Sequence, residues 1–201
     1  MRANLQVVVL AGGSSRRFGR DKATEPIRGR GSLDRVLEAA APLGPIWLVG
    51  GPREEHPAIK GFVPDLESSG GPLQAIVAAM RKLGSCPILV LACDTPFIHS
   101  DLLRQITRTL EVDADARMPR IAGRAQPLLA LYGESAQRHF EEAYSSGLRA
   151  LHDVTSRLKV QWIEEKELTM LGMDPAQLGD FDGPEDLARL LAQNPGPEGR
   201  D

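Results

Sequence analysis

The sequence has few of the features that mark secreted, membrane-spanning or nucleic-acid-binding proteins. Cys86 and Cys93 are its only cysteines, too few for a disulfide framework or a cysteine metal cluster. No apolar run approaches the length of a membrane span, and the first residues, Met-Arg-Ala-Asn, lack a secretory apolar region. The net charge of −3 gives no electrostatic case for nucleic acid as a partner. These absences predict a cytoplasmic protein with neither a membrane nor a nucleic-acid partner.

The size and composition are those of one globular domain. The chain has 201 residues, of which 42% are hydrophobic and 25% charged, so it can bury a substantial core. We found no internal repeat and no linker that would divide it. We therefore expect one domain over residues 1–193. The segment 194–201 is rich in proline and glycine, which predicts a disordered tail.

The most informative stretch follows the first apolar run, Val7 to Leu10, which is typical of a buried strand. The chain continues as Ala-Gly-Gly-Ser-Ser-Arg-Arg-Phe-Gly-Arg-Asp-Lys, over residues 11–22. Glycines allow the backbone to approach a ligand closely, and loop amides can surround a phosphate. Fixed positive charge would come from Arg16, Arg17, Arg20 and Lys22. The pattern predicts a nucleotide-binding loop, although a glycine-rich turn with solvated arginines is the simpler alternative.

Two common nucleotide loops are excluded by their spacing. No glycine of this loop is followed by Lys and then Ser or Thr, as a P-loop requires. The dinucleotide fingerprint G-x-G-x-x-G is also absent. The loop is therefore of another class.

Further strands and helices alternate along the first half of the chain. Strands are predicted at Ile46 to Val49, Phe62 to Val63 and Ile88 to Ala92. Helices are predicted after N-caps at Ser32 and Ser100, and from the Gly71-Pro72 pair. This alternation favours an α/β fold with a mostly parallel central sheet and helices on both faces, a three-layer α/β/α domain.

The carboxyl ends of parallel strands meet at one edge of a sheet, where ligands bind. That rule would bring the Gly13 loop, Gly50, Asp65 and Asp94 together.

The second half of the chain is more mixed. Residues 120–124 predict the turn of a hairpin, and residues 126–132 form an extended apolar run. Short helices are expected around residues 136–144 and 148–158, a strand over 160–163, and a last helix carrying Leu187, Leu190 and Leu191.

Three acidic positions are candidates for chemistry, and each has a simpler explanation. Asp94 follows the most apolar strand and is placed to hold Mg²⁺, but an aspartate there could instead form a turn or cap a helix. Asp65 precedes Gly70-Gly-Pro-Leu73, which could contact a nucleotide or simply begin a helix. Asp182 could bind a metal, although capping the last helix is slightly favoured.

The string L-A-G-G-x-S-x-R-x-G-x-D-K, together with Cys93-Asp-Thr-Pro96, resembles the molybdenum cofactor guanylyltransferases. These belong to the superfamily of NDP-sugar pyrophosphorylase-like nucleotidyltransferases, so the resemblance implies their Rossmann-like nucleotide-diphospho-sugar transferase fold. Three positions depart from the family pattern. Phe18 replaces Met, Gly50 replaces Asn, and Asp180-x-Asp182 replaces Asn-x-Asn.

The resemblance also implies site residues. It assigns catalysis to Lys22, Asp94 and Arg17, with Arg16 as an alternative to Arg17. Mg²⁺ would be held by Asp94, with Asp182 as a second candidate. The implied nucleotide-binding residues are Leu10, Ala11, Gly12, Gly13, Lys22, Asp65, Gly71, Pro72, Leu73 and Asp94.

The implied reaction transfers GMP from GTP to the phosphate of molybdopterin, or of its molybdenum-loaded form, and releases pyrophosphate. Other cofactor-biosynthesis proteins or molybdoenzyme chaperones are further expected partners. Two alternatives stay open. One is a sister enzyme, either the molybdenum cofactor cytidylyltransferase or a sugar- or polyol-phosphate nucleotidyltransferase, which the Asp180-x-Asp182 variant favours. The other is a non-catalytic carrier that binds the nucleotide or the cofactor.

Overall fold

A computed structural model describes residues 4–12, 22–50, 56–67 and 70–195. The strands are β1 (Gln6–Leu10), β2 (Pro26–Ile27), β3 (Arg30–Gly31), β4 (Ile46–Val49), β5 (Ile59–Val63), β6 (Ile88–Ala92), β7 (Ala116–Ile121), β8 (Arg124–Ala125), β9 (Leu129–Tyr132) and β10 (Val160–Glu164). The helices are α1 (Ser32–Ala40), α2 (Gly71–Leu83), α3 (Ser100–Ile106), α4 (Ala136–Ser145), α5 (Leu151–Thr155), α6 (Glu165–Met170) and α7 (Pro184–Gln193). None of these helices is both long and apolar enough to cross a membrane.

One large sheet organises the chain, in the order β10-β7-β9-β6-β1-β4-β5, with β8 paired to β7. Strands β6, β1, β4 and β5 are all parallel to their neighbours in this group. Strand β9 runs antiparallel to the strands on either side of it, β6 and β7, and β8 is antiparallel to β7. The predicted mostly parallel α/β sheet is therefore confirmed, and the parallel part contains the strand that leads into the glycine-rich loop.

The central strands are almost wholly apolar because both faces of the sheet are covered. All of β6 is buried, and alternate residues of β1 enter opposite sides of the core. Val7 and Val9 pack with α1 and α3 on one face, while Val8 and Leu10 pack with α2 and α4 on the other. Alternation along a strand sends successive side chains to opposite faces, which produces the three expected layers.

A third, smaller apolar cluster brings the two ends of the chain together. It contains Ile27 of β2, Phe97 from the loop after β6, Phe181 before α7, and Leu187 and Leu190 of α7. These side chains seat α7 against the small β2–β3 hairpin. Through Phe97, the cluster lies beside the loop that follows β6.

Both serine N-caps predicted from the sequence are wrong. Helices α1 and α3 begin at Ser32 and Ser100 themselves, and the capping positions are Gly31 and His99. The Ser32 hydroxyl donates to the carbonyl of Cys93 at 2.5 Å instead of capping its own helix. The Ser100 hydroxyl likewise donates to the carbonyl of Ala39 at 2.9 Å. Contacts between distant segments have replaced the local capping bonds that the pattern suggests.

Several boundaries also differ from the expected ones. Strand β5 is longer than the predicted pair, whereas β9 and α5 are shorter than the predicted runs, and α6 was not predicted. The hairpin turn between β7 and β8 is confirmed. Asn194 is buried and its carbonyl accepts a hydrogen bond from Arg28. Residues 196–201 of the expected tail lie outside the described ranges.

Candidate active site

The side chain of Lys22 lies between two carboxylates at the carboxyl edge of the sheet. Its Nζ atom is 2.6 Å from Oδ1 of Asp182 and 3.5 Å from Oδ2 of Asp94. It also lies 5.7 Å from the ring centroid of Phe181, within reach of a cation–π attraction. Only 16% of the Lys22 side chain is exposed, so its charge is partly withdrawn from water. The arrangement concentrates one cation and two anions where the topology predicts ligand binding.

Burial and neighbouring charges shift the pKa values of Asp94 and Lys22. Burial raises the pKa of Asp94 above its ordinary value, the Lys22 ammonium opposes this, and the charge of Asp180 adds to it. Burial alone would lower the pKa of Lys22, but the hydrogen bond to Asp182 and the charges of both carboxylates raise it overall. Asp182 is thus the closer partner of the ammonium, and Asp94 is the more confined carboxylate.

Asp94 is held by a network that anchors the loop after β6. The amide of Cys93 donates to the carbonyl of Leu10 at 3.1 Å, which ties this loop to the end of β1. Thr95 Oγ1 donates to the carbonyl of Ala92 at 3.0 Å, and Arg35 Nε donates to the carbonyl of Pro96 at 2.9 Å. Together with the Ser32 bond to Cys93, these contacts fix the backbone on both sides of Asp94.

Asp182 is held by its neighbours, and its expected role as a helix cap is wrong. The capping position of α7 is Gly183. The amides of Asp182 and Gly183 both donate to Oδ2 of Asp186, each at 3.2 Å. The Asp186 side chain therefore accepts from the backbone that leads into the helix, and the Asp182 carboxylate pairs with Lys22. The side chain of Phe181 is fully buried and anchors this segment in the apolar cluster with Ile27 and Phe97.

The start of the glycine-rich loop is hydrogen-bonded to the end of β4. The amides of Ala11 and Gly12 both donate to the carbonyl of Val49, at 2.9 and 3.2 Å. Gly50 has a φ of +69°, and a Cβ atom there would lie 2.5 Å from the Cα atom of Gly12. In this backbone, any side chain at Gly50 would have to displace Gly12.

The other predicted nucleotide-binding residues lie at the same edge but differ in exposure. Asp65 is exposed, and its Oδ2 atom is 3.7 Å from the place where a Cβ of Gly50 would be. Gly71 and Pro72 are exposed at the start of α2, with Gly71 at a φ of +71°. The Leu73 side chain is fully buried in the core, so only its backbone could meet a ligand.

Part of the predicted site falls outside the described residues. Gly13, Arg16 and Arg17 belong to this part, as do Phe18 and Arg20. Their predicted roles stay predictions.

Asp94 and Asp182 are the candidate ligands for a hard divalent cation. Within residues 4–12, 22–50, 56–67 and 70–195, no group of three or more His, Cys, Asp or Glu side chains could hold a metal. Asp94 and Asp182 nevertheless approach the same ammonium, so two carboxylates converge on one positive charge. Magnesium is commonly bound by one or two carboxylates, with substrate phosphates and water completing its shell. The two carboxylates fit that mode of binding rather than an all-protein metal cage.

Comparison with known proteins identifies the family of the chain. The family model for the MobA-like NTP transferase domain matches residues 7–161. The chain belongs to the MobA-like NTP transferase family. A similar relative is the probable molybdenum cofactor guanylyltransferase of Pelotomaculum thermopropionicum, 32% identical over 93% of each chain. Another is the molybdenum cofactor guanylyltransferase of Pseudomonas putida, 28% identical over 90% of this chain and 94% of the relative.

Two solved structures show the same fold. Molybdopterin-guanine dinucleotide biosynthesis protein A from Archaeoglobus fulgidus is 30% identical with a TM-score of 0.77, covering 94% of this chain and 98% of its own. The 2-C-methyl-D-erythritol 4-phosphate cytidylyltransferase of Thermus thermophilus has a TM-score of 0.68 at 18% identity, over 95% and 98% of the two chains. The second likeness concerns the fold alone. The chain is a nucleotidyltransferase by family, and the expected fold class is confirmed.

Sequence reasoning missed the residues that support the cluster. Phe181 sits between two aspartates in the sequence, and an apolar residue in that position signals an anchored segment. Ser32 and Arg35 gave no such signal, because their partners lie 61 residues away in the loop after β6.

Proposed function

We propose that this MobA-like transferase moves GMP from GTP to the terminal phosphate of molybdopterin, or of its molybdenum-loaded form, and releases pyrophosphate. The observation that carries the proposal is the position of Lys22 between Asp94 and Asp182, beside the loop that begins at Ala11. The guanylyltransferase names of relatives that match nearly the whole chain support the choice of substrates.

In the proposed reaction an oxygen of the acceptor phosphate attacks the α-phosphorus of GTP. A new P–O bond forms as the bond from the α-phosphorus to the bridging oxygen breaks, and the electron pair leaves with pyrophosphate. The attacking phosphate is already anionic, so the step requires no strong general base. Positioning and charge neutralisation are then the main contributions of the protein.

Lys22 would orient the triphosphate and stabilise the charge that develops on pyrophosphate. Its ammonium is partly buried and held in place before the nucleotide arrives, and preorganised charge is most effective in such surroundings. The predicted contribution of Arg17, or of Arg16, to the same phosphates belongs to this proposal.

We assign the binding of Mg²⁺ to Asp94, with Asp182 as an auxiliary carboxylate. Asp94 is the better candidate because its loop is anchored on both sides and its side chain is only 22% exposed, against 61% for Asp182. When bound, the ion would neutralise phosphate charge. The chain's own task is to hold the carboxylate at the edge of the sheet.

The described backbone favours guanine at the other end of the site. The amides of Ala11 and Gly12 already donate to the carbonyl of Val49, so in the proposal a base edge would meet the carbonyls of these residues rather than their N–H groups. The exposed Asp65 carboxylate near Gly50 is a further acceptor. Guanine presents donors at N1 and N2, which suit a surface of acceptors.

Base choice is tested by measuring the affinity of the protein for GTP, CTP and ATP in the presence of Mg²⁺. We expect GTP to bind most tightly. A preference for CTP would instead identify the cytidylyltransferase of the same cofactor, the alternative that Asp180-x-Asp182 favours. Tight GTP binding without turnover in the presence of molybdopterin would identify a carrier. The cytoplasmic location and the further protein partners stay predictions.

A further inference from the structure

Gln74, on the first turn of α2, is a buried polar residue to which the resemblance assigns no role. Only 2% of it is exposed. Its side chain folds back over Gly70 and occupies the space in which any other residue would carry its Cβ atom. The carboxamide nitrogen of Gln74 is buried and has no hydrogen-bond partner. The absence of an acceptor makes this nitrogen costly to bury, since buried donors in proteins are nearly always satisfied.

The position of Gln74 places this unsatisfied donor at the ligand-binding edge. Helix α2 follows β5, and Gln74 lies in its first turn, next to Leu73. Leu73 belongs to the same core cluster as Leu10 and Val49, which end β1 and β4. The capping position is Gly70, which has no side chain that could accept from the start of the helix. The first turn of α2 therefore offers both backbone N–H groups and one buried amide to a ligand.

We propose that Gln74 is a nucleotide-binding residue whose carboxamide nitrogen donates a hydrogen bond to an acceptor atom on the nucleoside half of GTP. The inference rests on the proposed function, since it takes GTP as the ligand. The order β6-β1-β4-β5 separates the two halves of the nucleotide. Lys22 and Asp94 lie by β1 and β6 and take the phosphates, whereas α2 begins after β5 and faces the base and ribose.

The test uses Gln74→Met, which keeps the length of the side chain and removes the donor. We expect the Kd for GTP to rise roughly tenfold, the usual scale for one lost hydrogen bond. Binding of inorganic tripolyphosphate, which lacks a nucleoside, should be unchanged. The melting temperature should be equal or higher, because an unsatisfied buried donor has been removed.

A matched control is Gln105→Met on α3, where the buried atom without a partner is the amide oxygen of a glutamine near the C-terminal end of that helix. This variant should bind GTP as the unaltered protein does. A second variant, Gly70→Ala, displaces the Gln74 amide without altering Gln74 itself. It should weaken GTP binding in the unaltered background more than in the Gln74→Met background.

The outcomes separate this inference from the proposed function. If the unaltered protein binds GTP and Gln74→Met binds it equally well, the role of Gln74 is refuted while the proposed function stands. A Gln74→Met variant that loses GTP and tripolyphosphate together would also refute it, since the change would then act on the whole site. If the unaltered protein does not bind GTP, the proposed function itself fails. Repeating the measurement with 2′-deoxy-GTP locates the contact. If Gln74→Met does not weaken the binding of 2′-deoxy-GTP, the nitrogen donates to the 2′-hydroxyl of the ribose. If it weakens the binding of both nucleotides equally, the acceptor lies on the base or is the 3′-hydroxyl.

Discussion

The ammonium of Lys22 donates to the carboxylate of Asp182 at 2.6 Å, although 160 residues separate them in the chain. The contact forms because Phe181 anchors its segment in the cluster with Ile27 and Phe97. The candidate site is thus closed by the last helix, whose packing places Asp182 over a residue of the opening loop. A site assembled from both ends of the chain depends on complete folding of the domain.

Replacing Lys22 by alanine should lower kcat/KM for nucleotidyl transfer by about 100-fold or more. The reason is that a preorganised charge beside the phosphates is lost, an effect of about 3 kcal/mol when the charge acts in the transition state. Steady-state kinetics with GTP as the varied substrate measure it. The matched control is Lys60→Ala, which removes an exposed lysine from β5. Equal effects of the two replacements would contradict the assignment.

Asp94→Asn should abolish metal-dependent turnover while the protein stays folded. Asparagine keeps the shape of the side chain but lacks the charge that holds a hard cation. Asp182→Asn should keep its activity to within about fivefold, since the Asp182 side chain is 61% exposed and an amide oxygen can still accept from Lys22. Turnover against Mg²⁺ concentration, with thermal melts of both variants, distinguishes the two. An active Asp94→Asn and an inactive Asp182→Asn would place the metal on the other carboxylate.

Gly50→Ala should destabilise the fold and raise the KM for GTP. Alanine would carry a Cβ atom 2.5 Å from the Cα of Gly12, and its φ of +69° would also be strained. The control is Gly123→Ala, which has a similar φ of +72° but no neighbour within 4 Å of the added atom. The control should cost only the backbone strain of about 1 kcal/mol. Equal melting temperatures and equal KM values for both variants would show that Gly12 does not need the space above Gly50.

Tyr132→Phe should lower the free energy of unfolding by about 1–2 kcal/mol, because the carbonyl of Pro127 would lose the hydroxyl that donates to it at 2.8 Å. Tyr144→Phe, which removes an exposed hydroxyl bonded to Glu67, is the control and should change stability little. Chemical denaturation at pH 8 measures both. A loss at Tyr144 as large as at Tyr132 would contradict the role of burial.

The same tyrosine predicts a pH dependence at the alkaline end. Burial raises the pKa of Tyr132 far above its ordinary value of about 10. Below about pH 10 the phenol is neutral in both states, and the stability it contributes is fully present. Above that pH the unfolded chain releases the proton and the folded protein does not, so stability falls as pH rises. Denaturation at about pH 8 and pH 10.5 should show a smaller fall for Tyr132→Phe than for the unaltered protein.

The residues that follow strands were predictable from the sequence because a parallel sheet carries them to one edge. The strand from Ile88 to Ala92 is apolar enough to be recognised alone, and Asp94 is placed by it. Gly12, Gly50 and Asp65 follow the same rule. The strand pattern therefore predicts the ligand-binding edge of the sheet and the site residues that directly follow each strand.

The contacts between distant segments could not be predicted, for a common physical reason. Ser32 and Ser100 look like N-caps, yet their hydroxyls serve the carbonyls of Cys93 and Ala39. A cap is inferred from neighbouring residues, whereas these bonds depend on how α1 packs against the loop after β6 and against α3. The contact of Asp182 with Lys22 is of the same kind, since the capping bonds of α7 come from Asp186 instead.

The central claim is that the α-phosphate of GTP is transferred to molybdopterin at the site formed by Lys22 and Asp94. The most direct measurement incubates the protein and Mg²⁺ with molybdopterin and GTP labelled at either the α- or the γ-phosphorus, beside CTP labelled at the α-phosphorus. The account predicts that only the α-label of GTP appears in the dinucleotide product, that the γ-label appears in pyrophosphate, and that Asp94→Asn forms neither. Incorporation from CTP in preference to GTP, or transfer of the γ-label to the acceptor, would contradict it.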